Sequence, residues 1–215
     1  YYSLVEKIRK GFEYHIKACN GCGAGASSLA QAEYYLETGN FEKVEAPALE
    51  ALYISRQYEQ TCITAASLFA LARLYRVIGK TSELNETIQE MEVLRNKEKN
   101  PLNSDVLDNA LGYLNVLMNH IDKIPSWLRE DDITYRFSSY QGTAFNHLVY
   151  QMILLKQQDY ETFYKKKHSF FLYFKQFHNQ LGIVLFHINF SIVLYYTKGI
   201  DSASAELEKA LDIAQ

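Results

Sequence analysis

The chain has 215 residues, of which 48% are apolar and 22% charged, with a net charge of −3 and a pI near 6.1. This composition is ordinary for a soluble protein, and the lack of a basic excess argues against nucleic-acid binding. No uninterrupted apolar run approaches the roughly 18 residues of a membrane span. The three cysteines lack the spacing of a disulfide framework. We therefore expect a cytoplasmic protein with no membrane partner.

The first two segments have the pattern of amphipathic helices. Residues 1–20 predict one helix with no partner before it, which we interpret as a truncated repeat. Residues 21–58 predict a helical hairpin, in which Leu29 and Leu36 lie on one face of the first helix. Gly39 stands where a helix needs a left-handed terminating residue. A single hairpin leaves part of its apolar surface exposed to water, so it needs a neighbouring hairpin to cover that surface.

Turn-forming residues recur every forty residues along the chain. From Gly39 this interval leads to residues that tolerate left-handed or capping geometry, namely Gly79, Asn119, Asp159 and Gly199. Such self-similarity is typical of a solenoid, and the tetratricopeptide pattern fits it best. We therefore predict an all-α fold, a tetratricopeptide-like right-handed superhelix of about five helical hairpins plus one N-terminal helix. The repeats of this single domain, residues 1–215, would be 21–58, 59–98, 99–139, 140–178 and 179–215.

The three prolines mark irregular points within these repeats. Pro47 predicts a kink in the second helix of the first hairpin, unless the regular helix starts only near Val44. Pro101 predicts the start of a helix. Pro125 permits only a short helix around Trp127, and a loop should follow it.

The residues with catalytic or metal-binding potential do not form a recognisable site. Cys19 and Cys22 make a C-x-x-C pair with His15 one turn upstream, but a structural zinc site needs four ligands. The only other thiol, Cys62, is distant in sequence. The glycines at 21–25 lack the spacing of a nucleotide-binding loop, and the histidines form no catalytic motif. We therefore predict no metal, no cofactor and no enzymatic activity.

The first helix of each hairpin lines the concave side of a tetratricopeptide array. The repeat register places polar and aromatic residues on or near that side. Asparagine side chains offer both donors and acceptors, which suit sugar hydroxyls or a peptide backbone, and tyrosines supply flat apolar platforms. The predicted ligand-binding residues are Glu33, Arg73, Arg76, Asn109, Tyr113, Asn146, Tyr150 and Asn189.

Five segments carry a family resemblance when they are taken together. They are GCGAGASSLAQAEYYLETGNFEKVE, QTCITAASLFALARLYRVIGK, DKIPSWL, YQGTAFNHLVYQMILL and FHNQLGIVLFHINF. From about Cys19 to Gln215 the chain resembles the central region of MalT-like LuxR-type large ATP-binding transcriptional regulators. The resemblance implies a signal-sensing tetratricopeptide-like domain between a nucleotide-binding module and a LuxR-type helix-turn-helix. In that family an inducer, a maltooligosaccharide in the namesake, shifts the regulator towards a self-associating, DNA-activating form.

Neither flanking module has its motifs in this chain, so we expect part of a larger regulator that binds neither ATP nor DNA by itself. Its partners would be a small-molecule inducer such as an oligosaccharide, the regulator's other domains, or a second copy. The alternative is a peptide- or protein-binding module, either a pheromone receptor or a scaffold. An enclosed pocket near Tyr113 and Asn146 would favour the small molecule, and an open groove along several repeats would favour the peptide.

Overall fold

The computed structural model describes residue 21 and residues 23–130, 140–176 and 179–214, and within these ranges the chain forms helices and no strand. The all-α class predicted from the sequence is therefore confirmed. The described α-helices are α1 (Ala26–Glu37), α2 (Glu45–Gln57), α3 (Thr61–Ile78), α4 (Thr81–Lys97), α5 (Pro101–Leu117), α6 (Ser126–Arg129), α7 (Tyr140–Lys156), α8 (Tyr160–Gln176), α9 (Gln180–Lys198) and α10 (Ile200–Ala214). The predicted helix at 1–20 lies outside the described residues.

The helices group into two compact units, Tyr1–Leu111 and Gly112–Gln215. In unit 1, α1 packs on α2, α2 on α3 and α3 on α4, and α1 also contacts α3. In unit 2, α7, α8, α9 and α10 pack in the same serial way, and α7 also contacts α9. Helices that pack on their chain neighbours across short connections form hairpins. Each unit therefore contains hairpins whose first helices touch one another.

The turns follow the predicted forty-residue interval. Positive φ values occur at four of the five predicted positions, with φ of 73° at Gly39, 75° at Gly79, 64° at Asn119 and 95° at Gly199. At the remaining turn the left-handed residue is Gln158, with φ of 59°, and not Asp159. Asp159 instead caps α8, because its Oδ1 accepts a hydrogen bond from the Thr162 backbone N–H at 3.0 Å.

Gln158→Gly should stabilise the protein by about 0.5–1 kcal/mol. A side chain with a Cβ is strained in the left-handed region, and relief of this strain outweighs the extra freedom that glycine gives the unfolded chain. Urea denaturation of both proteins measures the difference. Gln157→Gly is the matched control, because Gln157 has no positive φ and should gain nothing. A destabilised Gln158→Gly variant would contradict the assigned turn.

The two units fill their cores with side chains of different size. Unit 1 buries alanines completely, which allows close approach of its helices, at Ala32, Ala48, Ala51, Ala65 and Ala72. Unit 2 buries phenylalanines, at Phe163, Phe170, Phe174, Phe186 and Phe190. Gly182 is required beside one of these rings, because a Cβ there would lie 2.3 Å from Cδ1 of Phe174. The aromatic core of unit 2 thus depends on a glycine at the start of α9.

The predicted effects of the prolines are also visible. Pro47 lies in the first turn of α2, which begins at Glu45, so it removes no helical hydrogen bond. Pro101 is the first residue of α5, and the short helix around Trp127 is α6. These three predictions are confirmed, whereas the loop predicted to follow Trp127 lies largely at 131–139, outside the described residues.

Two helices are long and apolar enough to cross a membrane by length and composition alone, namely α3 and α9. The most apolar window of α3 is 56% buried within the protein and that of α9 is 39% buried. A core helix of a soluble protein meets the same criterion. The two helices therefore do not test the predicted cytoplasmic location, which stays a prediction.

Candidate functional site

The eight predicted ligand-binding residues are divided between the two units. Unit 1 contains Glu33 on α1, Arg73 and Arg76 on α3, and Asn109 on α5. Unit 2 contains Tyr113 on α5, Asn146 and Tyr150 on α7, and Asn189 on α9. That these residues bind a ligand stays a prediction, but their surroundings differ from one residue to the next.

In unit 1, Glu33 and Arg73 bind each other. Arg73 donates a hydrogen bond to Oε2 of Glu33 at 3.1 Å and another to the carboxylate of Glu37. Burial raises the pKa of Glu33 above its ordinary value, although the positive charge of Arg73 opposes this shift. These contacts join α1 to α3. A ligand at this point would have to compete with an existing ion pair, whereas Arg76 is exposed.

Three predicted residues do not face an open groove. Asn109 is 3% exposed, Asn146 is 0% exposed and Tyr150 is 6% exposed. The Nδ2 of Asn109 donates to the backbone oxygen of Asp105 at 2.8 Å, and its Oδ1 has no partner among the described residues. Asn146 and Tyr150 are enclosed because α7 packs on α6, α8 and α9.

The most unusual polar residues of unit 2 are three neighbours on α7, Asn146, His147 and Gln151, which we call the α7 polar cluster. Asn146 and Gln151 are 0% exposed and His147 is 6% exposed. Within the described part of the chain, both side-chain polar atoms of Asn146, both ring nitrogens of His147 and the Nε2 of Gln151 lack a hydrogen-bond partner. Only Oε1 of Gln151 is satisfied, by Nδ2 of Asn189 at 3.3 Å.

The surroundings of His147 are aromatic. Its ring centroid lies 4.0 Å from that of Tyr173 and 5.9 Å from that of Phe170. Burial lowers the pKa of His147 to about 4, so the imidazole is neutral at physiological pH. Burial also lowers the pKa of Lys166, whose ammonium lies 5.9 Å from the ring centroid of Tyr150. The α7 polar cluster is therefore uncharged and has aromatic side chains beside it.

An unsatisfied buried polar atom costs about 1–3 kcal/mol, and native proteins contain few of them. The α7 polar cluster has five such atoms on three residues of one helix, so the free energy lost to unsatisfied polar atoms is concentrated there. Chemically they offer donors and acceptors without charge, which fits a neutral ligand with several hydroxyl or amide groups. The sequence pattern identified Asn146 and missed His147 and Gln151. The available signal was three polar residues within the otherwise apolar stretch 145–155 of α7.

The described residues contain no candidate metal site. No three His, Cys, Asp or Glu side chains come together there. Cys19, Cys22 and His15 lie outside the described residues, and Cys62 is a free, exposed thiol. Its Sγ lies 2.8 Å from Oδ1 of Asn103.

The described structure defines an all-helical chain with a buried, uncharged polar cluster in unit 2. No protein-family model, curated protein or solved structure matches this chain. The α7 polar cluster contains five of the six buried side-chain polar atoms that lack a hydrogen-bond partner among the described residues.

Proposed function

We propose that this chain is the ligand-sensing domain of a transcriptional regulator, and that it binds a small neutral polar molecule at the α7 polar cluster. The observation that carries the proposal is the set of five unpartnered buried polar atoms on α7. A ligand that supplied their hydrogen bonds would stabilise unit 2 in its bound form. Such a difference between free and bound states is what a sensor needs.

The proposed architecture is a tetratricopeptide-like array of about five hairpins in one domain. It is supported by the contacts of α1 with α3 and of α7 with α9, because first helices of consecutive hairpins touch in such arrays. The turns at Gly39, Gly79, Asn119 and Gly199 support it further. A right-handed superhelix built in this way would present first helices such as α7 on its concave side.

The regulatory role in this proposal rests on the sequence resemblance to MalT-like LuxR-type proteins. In this proposal the domain works in the cytoplasm and needs no cofactor. Ligand binding changes its contacts with the regulator's other domains or with a second copy. It would bind neither ATP nor DNA itself. A binding role is favoured over catalysis because Asn146 and Gln151 cannot ionise, and His147 with a pKa of about 4 is a weak base at neutral pH.

The ligand class follows from burial and charge. Asn146 and Gln151 are fully enclosed, which favours a small molecule over an extended peptide lying in an open groove. Their neutral amides suit a hydroxylated compound such as an oligosaccharide. A peptide ligand is the competing outcome of the test.

Thermal-shift measurements with maltotriose, other oligosaccharides and trialanine would test the proposal. A ligand at about 100 times its Kd should stabilise the protein by about 2.7 kcal/mol, which corresponds to roughly 5–10 °C for a chain of this size. Asn146→Leu should abolish that shift. It should also raise the Tm of the free protein, because it replaces unsatisfied polar atoms by apolar ones of similar volume.

The control is Asn85→Leu, since Asn85 is exposed on α4. It should leave both the Tm and the ligand response unchanged. A shift caused only by trialanine would replace the small-molecule sensor with a peptide-binding module. An undiminished response in Asn146→Leu would remove the α7 polar cluster from the site.

A further inference from the structure

Unit 2 has an open groove of about 560 Å³ between α8, α9 and α10. Its floor contains Phe171 of α8 with Phe186 and His187 of α9. The Phe171 centroid lies 5.7 Å from those of both other rings, and the Phe186 and His187 centroids are 5.4 Å apart. The three rings are tilted by 50–66° to one another and form an aromatic surface at the bottom of the groove. Such a surface can pack a planar, apolar group in edge-to-face geometry.

A buried hydrogen-bond chain fixes His187 in this floor. Nδ1 of His187 lies 2.7 Å from Oε1 of Glu206, and Nζ of Lys209 donates to Oε2 of Glu206 at 2.7 Å. Burial raises the pKa of Glu206, but the hydrogen bonds from Lys209 and His187 outweigh burial, and the net pKa is lowered. Glu206 is thus ionised and accepts both bonds. Because a carboxylate only accepts hydrogen bonds, Nδ1 of His187 is the donor.

The charge available to a ligand comes from Lys167 on the groove wall. Its ammonium lies 3.6 Å from the ring centroid of Tyr164 and 5.4 Å from that of Phe190, and it pairs with no carboxylate among the described residues. Lys198 donates to the hydroxyl of Tyr164 at 2.9 Å and adds positive charge nearby. Lys209 is already neutralised by Glu206. Lys167 is therefore the groove cation that lacks a counter-ion within the described ranges.

Two further titratable side chains line the groove, Asp212 and His168. Asp212 of α10 repels a second negative charge on a ligand. One ammonium that has no carboxylate partner among the described residues, in a groove that also contains Asp212, matches a single negative charge better than a phosphate chain. The aromatic surface favours a ligand with an apolar ring over a small, fully hydrated anion.

We propose that this groove binds a small aromatic monocarboxylate, with its ring on Phe171 and Phe186 and its carboxylate at Lys167. This site takes a different class of ligand from the α7 polar cluster and shares no lining residue with it. Its existence does not depend on the proposed sensing function. It gives unit 2 a second binding surface, one selective for organic acids.

Titration calorimetry with 2-naphthoate as the probe tests this proposal, with 2-naphthalenemethanol as the uncharged match and ATP as a polyanion. The protein should bind 2-naphthoate about tenfold more tightly than either comparison compound. Lys167→Gln should lower the affinity for 2-naphthoate about tenfold and leave that for 2-naphthalenemethanol unchanged. Phe171→Leu should lower the affinity for both naphthalene compounds.

Lys165→Gln is the matched control, because Lys165 is an exposed lysine of the same helix, paired with Glu161 at 2.6 Å. It should bind 2-naphthoate as the unmodified protein does, and so should Asn146→Leu. Circular dichroism checks that each variant is folded. Equal binding of 2-naphthoate and 2-naphthalenemethanol would overturn the proposal. An unchanged affinity in a folded Lys167→Gln variant would overturn it equally.

Discussion

Lowering the pH from 6.5 to 4 should destabilise the protein by about 3 kcal/mol through His147 alone. Burial lowers the pKa of His147 to about 4 in the folded state, against 6.5 for an ordinary histidine. Between these values the unfolded chain binds a proton that the folded chain does not. Stability therefore rises with pH across this window, is fully present above about pH 6.5, and falls as the pH drops towards 4.

Urea denaturation at pH 7, 5.5 and 4.5 would measure this effect in the unmodified protein and in His147→Phe. The phenyl ring keeps the packing on Tyr173 and Phe170 but cannot be protonated. His147→Phe should therefore lose most of this pH dependence, and at pH 7 it should be at least as stable, because two unpartnered nitrogens are gone. His120→Gln, at an exposed histidine, should retain the full dependence. Identical pH profiles for His147→Phe and the unmodified protein would contradict the assignment.

Phe163→Ala should destabilise the protein by about 4 kcal/mol. Phe163 is 0% exposed, and its ring centroid lies 5.4 Å from that of Phe170, 6.2 Å from that of Phe190 and 6.5 Å from that of Phe186. The Phe163 ring packs against rings of both α8 and α9. Its loss therefore leaves a cavity that the remaining aromatic side chains cannot fill without shifting.

Guanidinium denaturation monitored by circular dichroism would measure this loss. Phe163→Leu should cost less, because the smaller side chain still fills part of the volume. Tyr53→Ala is the control at an exposed aromatic residue and should change stability by at most about 0.5 kcal/mol, since Tyr53 is 65% exposed. A loss below about 1.5 kcal/mol for Phe163→Ala would show that unit 2 does not depend on this aromatic core.

The positions of the helices were largely predictable because their ends depend on local chemistry. Gly39, Gly79 and Gly199 have the positive φ expected of them, and α5 begins at Pro101 as predicted. The one displaced turn is also explained locally. Asp159 has a side chain that caps α8, so the left-handed conformation falls on the preceding residue, Gln158.

The candidate site was only partly predictable. Asn146 and Asn189 were placed on first helices, but the sequence pattern did not show that Asn146 is enclosed or that Asn189 binds Gln151. It also missed His147, whose importance comes from its burial between aromatic rings. A polar residue in a helix has the same local sequence signature whether it faces solvent or another helix.

The sequence by itself determined that this protein is helical, that α5 begins at Pro101, and the forty-residue spacing of its turns. Backbone conformation at glycine, proline and asparagine is decided by each residue and its immediate neighbours, so these features can be read from one chain. Only the tertiary structure decided which polar side chains are left without partners, as at Asn146, and which charges meet, as at Glu206 and Lys209. Burial depends on the residues that pack from other helices, and the chemistry of both proposed sites follows from that packing.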